Sequence, residues 1–102
     1  MYIAINRFKI NRGKENEFET MWRDRDSHLE DVTGFIKFHL AKGNAEPSHT
    51  LYISHSTWHS KEDFSQWTKS EAFRSAHKNA GKNSAVYQEH PVFEGFTVVI
   101  GN

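Results

Sequence analysis

The chain opens with a segment in which apolar and polar side chains alternate. Over Tyr2–Ile10 the sequence YIAINRFKI is rich in β-branched and aromatic residues, and the alternation predicts a β-strand. Phe35–Lys42 and Thr50–Trp58 predict two further strands, and Val92–Ile100 predicts a fourth near the end of the chain.

Two segments between these strands have the helical period instead. After the first strand, apolar residues recur at spacings of three and four, and they predict a helix from about Lys14 to Leu29. Ser60 followed by Asp63 is typical of the N-terminus of a second helical segment. The order of elements is β-α-β-β-α-β, which predicts an α+β, ferredoxin-like fold with an antiparallel sheet in a single domain over residues 1–102.

The second helical segment carries two apolar stripes that are out of phase. At 100° per residue, Phe64 and Trp67 share one side of a continuous helix, while Phe73 and His77 lie roughly opposite. The conflict disappears if the helix breaks near Ser70, which is a suitable N-cap.

This break gives one helix over Lys61–Lys69 and another from Glu71 to about Lys78. Glu71 suits a first helical position because its carboxylate lies next to the positive end of the helix dipole. With the break, Trp67 and His77 can both turn toward one space between helices and sheet.

The last predicted strand is apolar on both of its faces. Val92 and Phe96 fall on one face, and Phe93 and Val99 fall on the other. An antiparallel sheet with helices on one side normally has a polar second side. We therefore expect a second copy of the chain to cover that side, in a homodimer formed sheet to sheet.

Charge and composition narrow the function classes. Thirteen basic and thirteen acidic residues give no net charge, so neither nucleic acid nor an anionic membrane is expected as a partner. The chain has no Cys, which excludes disulfides and thiolate chemistry. No apolar run approaches membrane-spanning length, and the alternating start is unlike a signal peptide. We expect a cytoplasmic protein whose aromatic side chains suit a core or a flat ligand.

Three residues stand out, and each has an ordinary explanation. Asn6 lies mid-strand, where Asn is disfavoured and a buried amide needs partners, although an edge strand or a wetted position would explain it. A lone His77 is more often a satisfied or half-exposed side chain than a ligand, and Trp67 alone would be assigned to the core. His55 and His59 have the spacing of a zinc pair, but they lie at a strand end and not on a helix.

Together, these residues lie in motifs that resemble a known family. The motifs are NRF on the first strand, GF before the second, and W.S.E.F..W..S..F..AH from Trp58 to His77. Over nearly its full length the chain is similar to the IsdG-type haem-degrading monooxygenases of the antibiotic-biosynthesis-monooxygenase superfamily, which are dimeric α+β barrels. The functional Asn, Trp and His of that family correspond to Asn6, Trp67 and His77, and Phe73 lies within the same motif.

The resemblance implies a role for each residue. His77 would bind the haem iron, Asn6 would hydrogen-bond oxygen on the distal side, and Trp67 would press the macrocycle out of plane. Phe73 would join them in contacting haem. Haem would be both substrate and cofactor, opened with O2 and releasing its iron. Electrons would come from an external reductase or reductant, because the chain has no nucleotide-binding motif.

Two other function classes stay open. A non-enzymatic haem carrier would keep His77 but leave its haem intact, and a cofactor-free oxygenase of the same superfamily would act on a quinol-like aromatic without haem. Arg23, Arg25, Arg74 and Lys78 have the charge to meet haem propionates, but charged helix faces are usually just solvated, so no propionate ligand is assigned. The bilin product and the fate of the released carbon are also left open.

Overall fold

The computed structural model describes residues 1–25, 29–71, 73–74 and 85–101. The elements within these ranges are β1 (Tyr2–Asn11), α1 (Glu15–Arg23), a 3-10 turn (Leu29–Asp31), β2 (Phe35–Ala45), β3 (His49–Trp58), α2 (Lys61–Thr68) and β4 (Val92–Thr97). Their order agrees with the predicted β-α-β-β-α-β arrangement.

The strands form one antiparallel sheet in the order β2-β3-β1-β4. β1 pairs with β3 along its whole length, from Tyr2 opposite Trp58 to Asn11 opposite His49. Both helices pack on the same face of this sheet, because Phe18 of α1 contacts Phe8 and Phe64 of α2 contacts Tyr2. The predicted ferredoxin-like α+β fold is confirmed.

The core on this face has two parts. The first cluster lies under α1 and consists of Phe8, Ile10, Phe18, Tyr52 and Val86. The second cluster lies toward α2 and consists of Tyr2, Ala4, Leu29 and Trp58, with Phe64 and Trp67 packed against it. On β1 the two clusters meet at Ala4 and Phe8, so the residue between them on this face is Asn6.

The first helix is shorter than predicted. It ends at Arg23, whereas the apolar spacing continues to Leu29. Leu29 belongs to a separate 3-10 turn and is nevertheless buried in the second cluster. A core position can therefore be filled from a separate turn, which apolar spacing alone cannot reveal; residues 26–28 lie outside the described part of the chain.

β1 and β3 are each one residue longer than predicted, and the ends of β2 and β4 differ more. β2 continues beyond Lys42 to Ala45 across a shift in register against β3. β4 stops at Thr97 instead of Ile100, and Val99 and Ile100 are 88% and 92% exposed. The apolar alternation of the last segment therefore outlasts its pairing with β1.

The predicted break after α2 is confirmed. α2 begins at the Ser60 cap, whose hydroxyl accepts a hydrogen bond from the Asp63 N–H at 3.1 Å, and ends at Thr68. Ser70 caps the next turn, accepting the Phe73 N–H at 3.2 Å. Glu71, Phe73 and Arg74 are helical; the remainder of the predicted second helix lies outside the described residues.

Gly34 lets α2 dock against the start of β2. Its φ of 83° is in the left-handed region, and a Cβ at this position would lie only 2.4 Å from the Asp63 Cβ and 2.2 Å from its carboxylate. A side chain here would force α2 away from the sheet, so this glycine does more than stop the preceding segment.

The second face of the sheet is partly apolar and accessible. Ile3, Ile5 and Phe96 lie on it, and Phe96 remains 46% exposed. Arg7 and Glu94 also lie on this face and pair with each other. The predicted homodimer would cover this face; it stays a prediction.

We expect sedimentation of the protein at micromolar concentration to give a dimer. Phe96→Glu should shift it toward monomer, because a carboxylate buried in an apolar interface without a partner is costly. Gln66→Glu, on the exposed side of α2, is the matched control and should leave the dimer intact. A compact wild-type monomer would contradict the predicted assembly.

Candidate functional site

One row of the sheet separates the two apolar clusters, and it contains Asn6. The cross-strand neighbours of Asn6 are Ser54 on β3 and Phe93 on β4, and Leu40 of β2 lies opposite Ser54. Residues directly opposite one another share a face, so all four lie on the helix-covered side. Asn6 is half-buried and Ser54 is 5% exposed.

The two polar side chains of this row are not used by the fold. Within the described ranges, neither the Asn6 amide nor the Ser54 hydroxyl hydrogen-bonds another residue. Ser56, two positions along β3 on the same face, contrasts with them. Its hydroxyl donates to the Ala4 carbonyl at 3.4 Å and accepts the Trp58 indole N–H at 2.9 Å.

Trp67 lies at the end of α2, among other aromatic rings. Its ring centroid is 5.4 Å from that of Trp58 and 6.1 Å from that of Phe64. Phe73 meets it edge-on, with centroids 4.9 Å apart and planes at 85°. The break at Ser70 therefore brings Trp67 and Phe73 together, although they would lie on opposite sides of a continuous helix.

A chain of aromatic contacts connects Asn6 with Trp67. Phe93, the β4 neighbour of Asn6, stacks on Phe64 with centroids 5.6 Å apart and planes at 7°. Phe64 in turn contacts Trp67. The structure thus places Asn6, Trp67 and Phe73 on one side of the sheet, while His77 lies outside the described residues.

Phe93 is a residue of this region that sequence reasoning did not single out. The pattern of the last strand marked it only as one of several apolar positions. Its pairing with Asn6 and its stacking on Phe64 depend on strand register, which a single sequence does not fix.

A cationic side chain lies beside the first cluster. The Arg25 guanidinium lies 4.0 Å from the centroid of the Trp22 ring. Burial lowers the pKa of Arg25 and raises the pKa of the neighbouring Tyr87 phenol. Among the described residues, no carboxylate forms an ion pair with Arg25.

A cavity of about 360 Å³ opens between α1 and the strands β2 and β3. Its Tyr52 hydroxyl donates to Glu19, and burial together with this carboxylate raises the pKa of Tyr52. Of the predicted site residues that the structure describes, none lines the cavity, but Leu40 does, and Leu40 is the cross-strand neighbour of Ser54. The lining residues are Glu19, Trp22, Arg23, Phe38, Leu40, Lys42 and Tyr52.

Two other features, a metal-binding cluster and a membrane-spanning helix, are not found in the described part of the chain. No group of three or more His, Asp or Glu residues there is arranged to hold a metal ion. No helix in the same ranges is both long enough and apolar enough to cross a membrane.

The chain is similar in sequence and in fold to proteins that are named as enzymes. The chain is 27% identical over 85 residues to a protein of Staphylococcus haemolyticus named heme oxygenase (staphylobilin-producing), covering 83% of this chain and 81% of that protein. It also resembles the solved structure of the heme-degrader MhuD from Mycobacterium tuberculosis with two hemes bound in its active site. That match has a TM-score of 0.76 at 23% identity and covers 100% of this chain and 99% of MhuD.

The fold itself is shared more widely. SnoaB, a cofactor-independent oxygenase from Streptomyces nogalater, superposes with a TM-score of 0.72 at 18% identity, covering 98% of this chain and 94% of SnoaB. Residues 1–79 match the sequence profile described as antibiotic biosynthesis monooxygenase. This match spans more than half of the chain and agrees with the resemblance seen in its motifs, so the chain belongs to the antibiotic biosynthesis monooxygenase family.

Proposed function

We propose that this protein degrades haem, binding it as substrate and cofactor and opening its ring with O2 and external electrons, with release of the iron. One observation carries the proposal. Asn6 and Trp67, the residues that the resemblance assigns to haem, lie on the same side of the sheet and are joined by the aromatic contacts of Phe93 and Phe64. The relatives named heme oxygenase support the proposed activity.

The residues present fit haem in both shape and polarity. A flat apolar macrocycle suits walls made of aromatic rings such as Trp67 and Phe73. Haem also carries carboxylates, and Arg25 is a half-buried cation without a carboxylate partner among the described residues. Asn6 supplies an amide that no other described residue hydrogen-bonds, on a face of the sheet that is otherwise largely apolar.

Each side chain has a definite task in this proposal. The Asn6 amide has two N–H donors and would hydrogen-bond the oxygen used in the reaction. Trp67 is kept rigid by Trp58, Phe64 and Phe73, so it can press on the macrocycle and distort it, one of the means by which proteins tune haem. His77 would bind the iron through a ring nitrogen. The haem itself supplies the oxygen-activating iron.

Mixing the protein with haemin and then adding ascorbate and catalase in air tests the proposal. We expect the Soret band to decay and the absorption of an open-chain bilin to replace it. Catalase removes free peroxide, so a loss of haem in its presence belongs to the enzyme. Persistence of the Soret band in the bound complex would favour the carrier, and failure to bind haem would favour the cofactor-free oxygenase.

The identity of the iron ligand can be tested separately. We expect His77→Ala to remove the five-coordinate histidine spectrum of the bound haem, because imidazole is the expected proximal ligand. His90→Ala is the matched control, since His90 is exposed and precedes β4. A histidine spectrum that survives His77→Ala would assign the iron to another of the seven His residues.

The electron donor, the homodimer and the cytoplasmic location also stay predictions. A reductase or a chemical reductant is the expected source of electrons. These points do not affect the haemin assay, which supplies the electrons directly.

A further inference from the structure

We propose that the Ser54 hydroxyl is a second hydrogen-bonding group of the haem site and acts with the Asn6 amide on a small ligand bound at the iron. This inference rests on the proposed function. It extends the site to a residue on β3 that neither the motifs nor the comparisons single out.

Ser54 lies next to Asn6 in the sheet. Ser54 and Asn6 are directly opposite across β1 and β3. In such a pair the Cβ atoms are about 4.5–5.5 Å apart and both side chains project from the same face. A ligand that the Asn6 amide reaches is therefore also within range of the Ser54 hydroxyl.

The other three hydroxyl groups on the same face of β3 are hydrogen-bonded within the protein. The Thr50 hydroxyl donates to Glu15 at 2.8 Å, and the Tyr52 hydroxyl donates to Glu19. The Ser56 hydroxyl is bonded to Ala4 and Trp58. In the described part of the chain, Ser54 alone among these four has no partner.

Covering Ser54 with a ligand would cost free energy unless the ligand hydrogen-bonds it. Ser54 is only 5% exposed, and the row it shares with Asn6 ends in Leu40 and Phe93. Its hydroxyl oxygen still reaches solvent, because it is not among the buried polar atoms that lack a partner. Haem lying over this row would exclude that water, and a hydroxyl left without a hydrogen bond among apolar groups is unfavourable. A polar atom of a ligand lying over Asn6 would satisfy both side chains at once.

The chemistry of the pair is well suited to small ligands of haem iron. The Asn6 amide presents two N–H donors, and the Ser54 hydroxyl both donates and accepts. Two donors converging on one anion or one oxygen atom stabilise its negative charge more than either donor does alone.

Fluoride binding to the ferric haem complex tests this pair without any turnover. Fluoride is a small anion and a strong hydrogen-bond acceptor, so its dissociation constant, followed by absorption, reports the donors around it. We expect Ser54→Ala to weaken fluoride binding by about fivefold, which corresponds to the loss of one hydrogen bond. Haem affinity should stay close to wild type, and Ser54→Thr should restore fluoride binding.

Two further variants test whether altered packing, and not the loss of a hydrogen bond, explains weaker fluoride binding. Ser54→Val has almost the same shape as Ser54→Thr but lacks the hydroxyl, so it should weaken fluoride binding where Ser54→Thr restores it. Ser56→Ala deletes a hydroxyl on the same face of the strand that is already occupied by protein groups. It should leave fluoride binding unchanged.

The outcomes separate this inference from the proposed function. Fluoride binding at wild-type strength in both Ser54→Ala and Ser54→Val overturns the role of Ser54 and leaves haem degradation standing. Failure of the wild type to bind haem overturns both. Weakening in the two Ser54 variants and in Asn6→Ala, with less than additive loss in the double variant, supports a shared ligand.

Discussion

Asn6→Ala should lower the rate of haem degradation by about a hundredfold, because a positioned hydrogen-bond donor in an active site typically contributes that much or more. Haem affinity should change little, since the aromatic rings that would hold the macrocycle are untouched. The measurement is paired: haem affinity by titration, and the rate of Soret decay with ascorbate and catalase in air.

Asn11→Ala is the matched control for this experiment. Asn11 ends the same strand, and its amide donates to the Ala85 carbonyl at 2.9 Å, away from the row that contains Asn6. We expect its rate to equal that of the wild type. Equal rates for Asn6→Ala and the wild type would remove Asn6 from the reaction and weaken the comparison with the heme oxygenases.

Trp67→Ala should also reduce degradation by about a hundredfold, while Trp67→Phe should keep part of the activity. Trp67 is held by three aromatic neighbours, so the proposed distortion of the macrocycle depends on the bulk and rigidity of its ring. A rate loss of about a hundredfold is within the range expected when reacting groups are held in the wrong position. Vibrational spectra of the bound haem should show a flatter ring in Trp67→Ala.

Stability must be separated from activity in this case, because Trp67 packs against the second cluster. Leu29→Ala is a suitable control: Leu29 is buried in that cluster, and its truncation should cost about 2–5 kcal/mol of folding free energy. Its activity per folded molecule should nevertheless remain near wild type. A comparable loss of activity in Leu29→Ala would attribute the effect of Trp67 to unfolding.

Local patterns predicted most of the fold. The alternation of β1, the Ser60 cap and the Ser70 break are all properties of short segments, and the structure has each of them. The predicted end of α1 was wrong, because Leu29 fills its core position from a separate turn. Tertiary packing can satisfy a helical apolar spacing without a helix.

The candidate site was predictable only in part, for a related reason. Asn6 could be found because an amide inside a strand is unusual at any register. Ser54 and Phe93 gain their interest only as the neighbours of Asn6 across two different strand pairs. That pairing is set by the whole sheet, so no segment of the sequence contains it.

The division of the core into two clusters affects how stable the folded protein should be with and without haem. On β1, Asn6 separates the cluster under α1 from the cluster beside α2. Haem bound between the two clusters would contact both of them and link the two halves of the core. A ligand present at a thousand times its dissociation constant adds about 4 kcal/mol to folding stability. Degradation would remove this haem. Each turnover would then return the chain to its less stable haem-free state, and the protein would be best protected from proteolysis when haem is abundant and electrons are scarce.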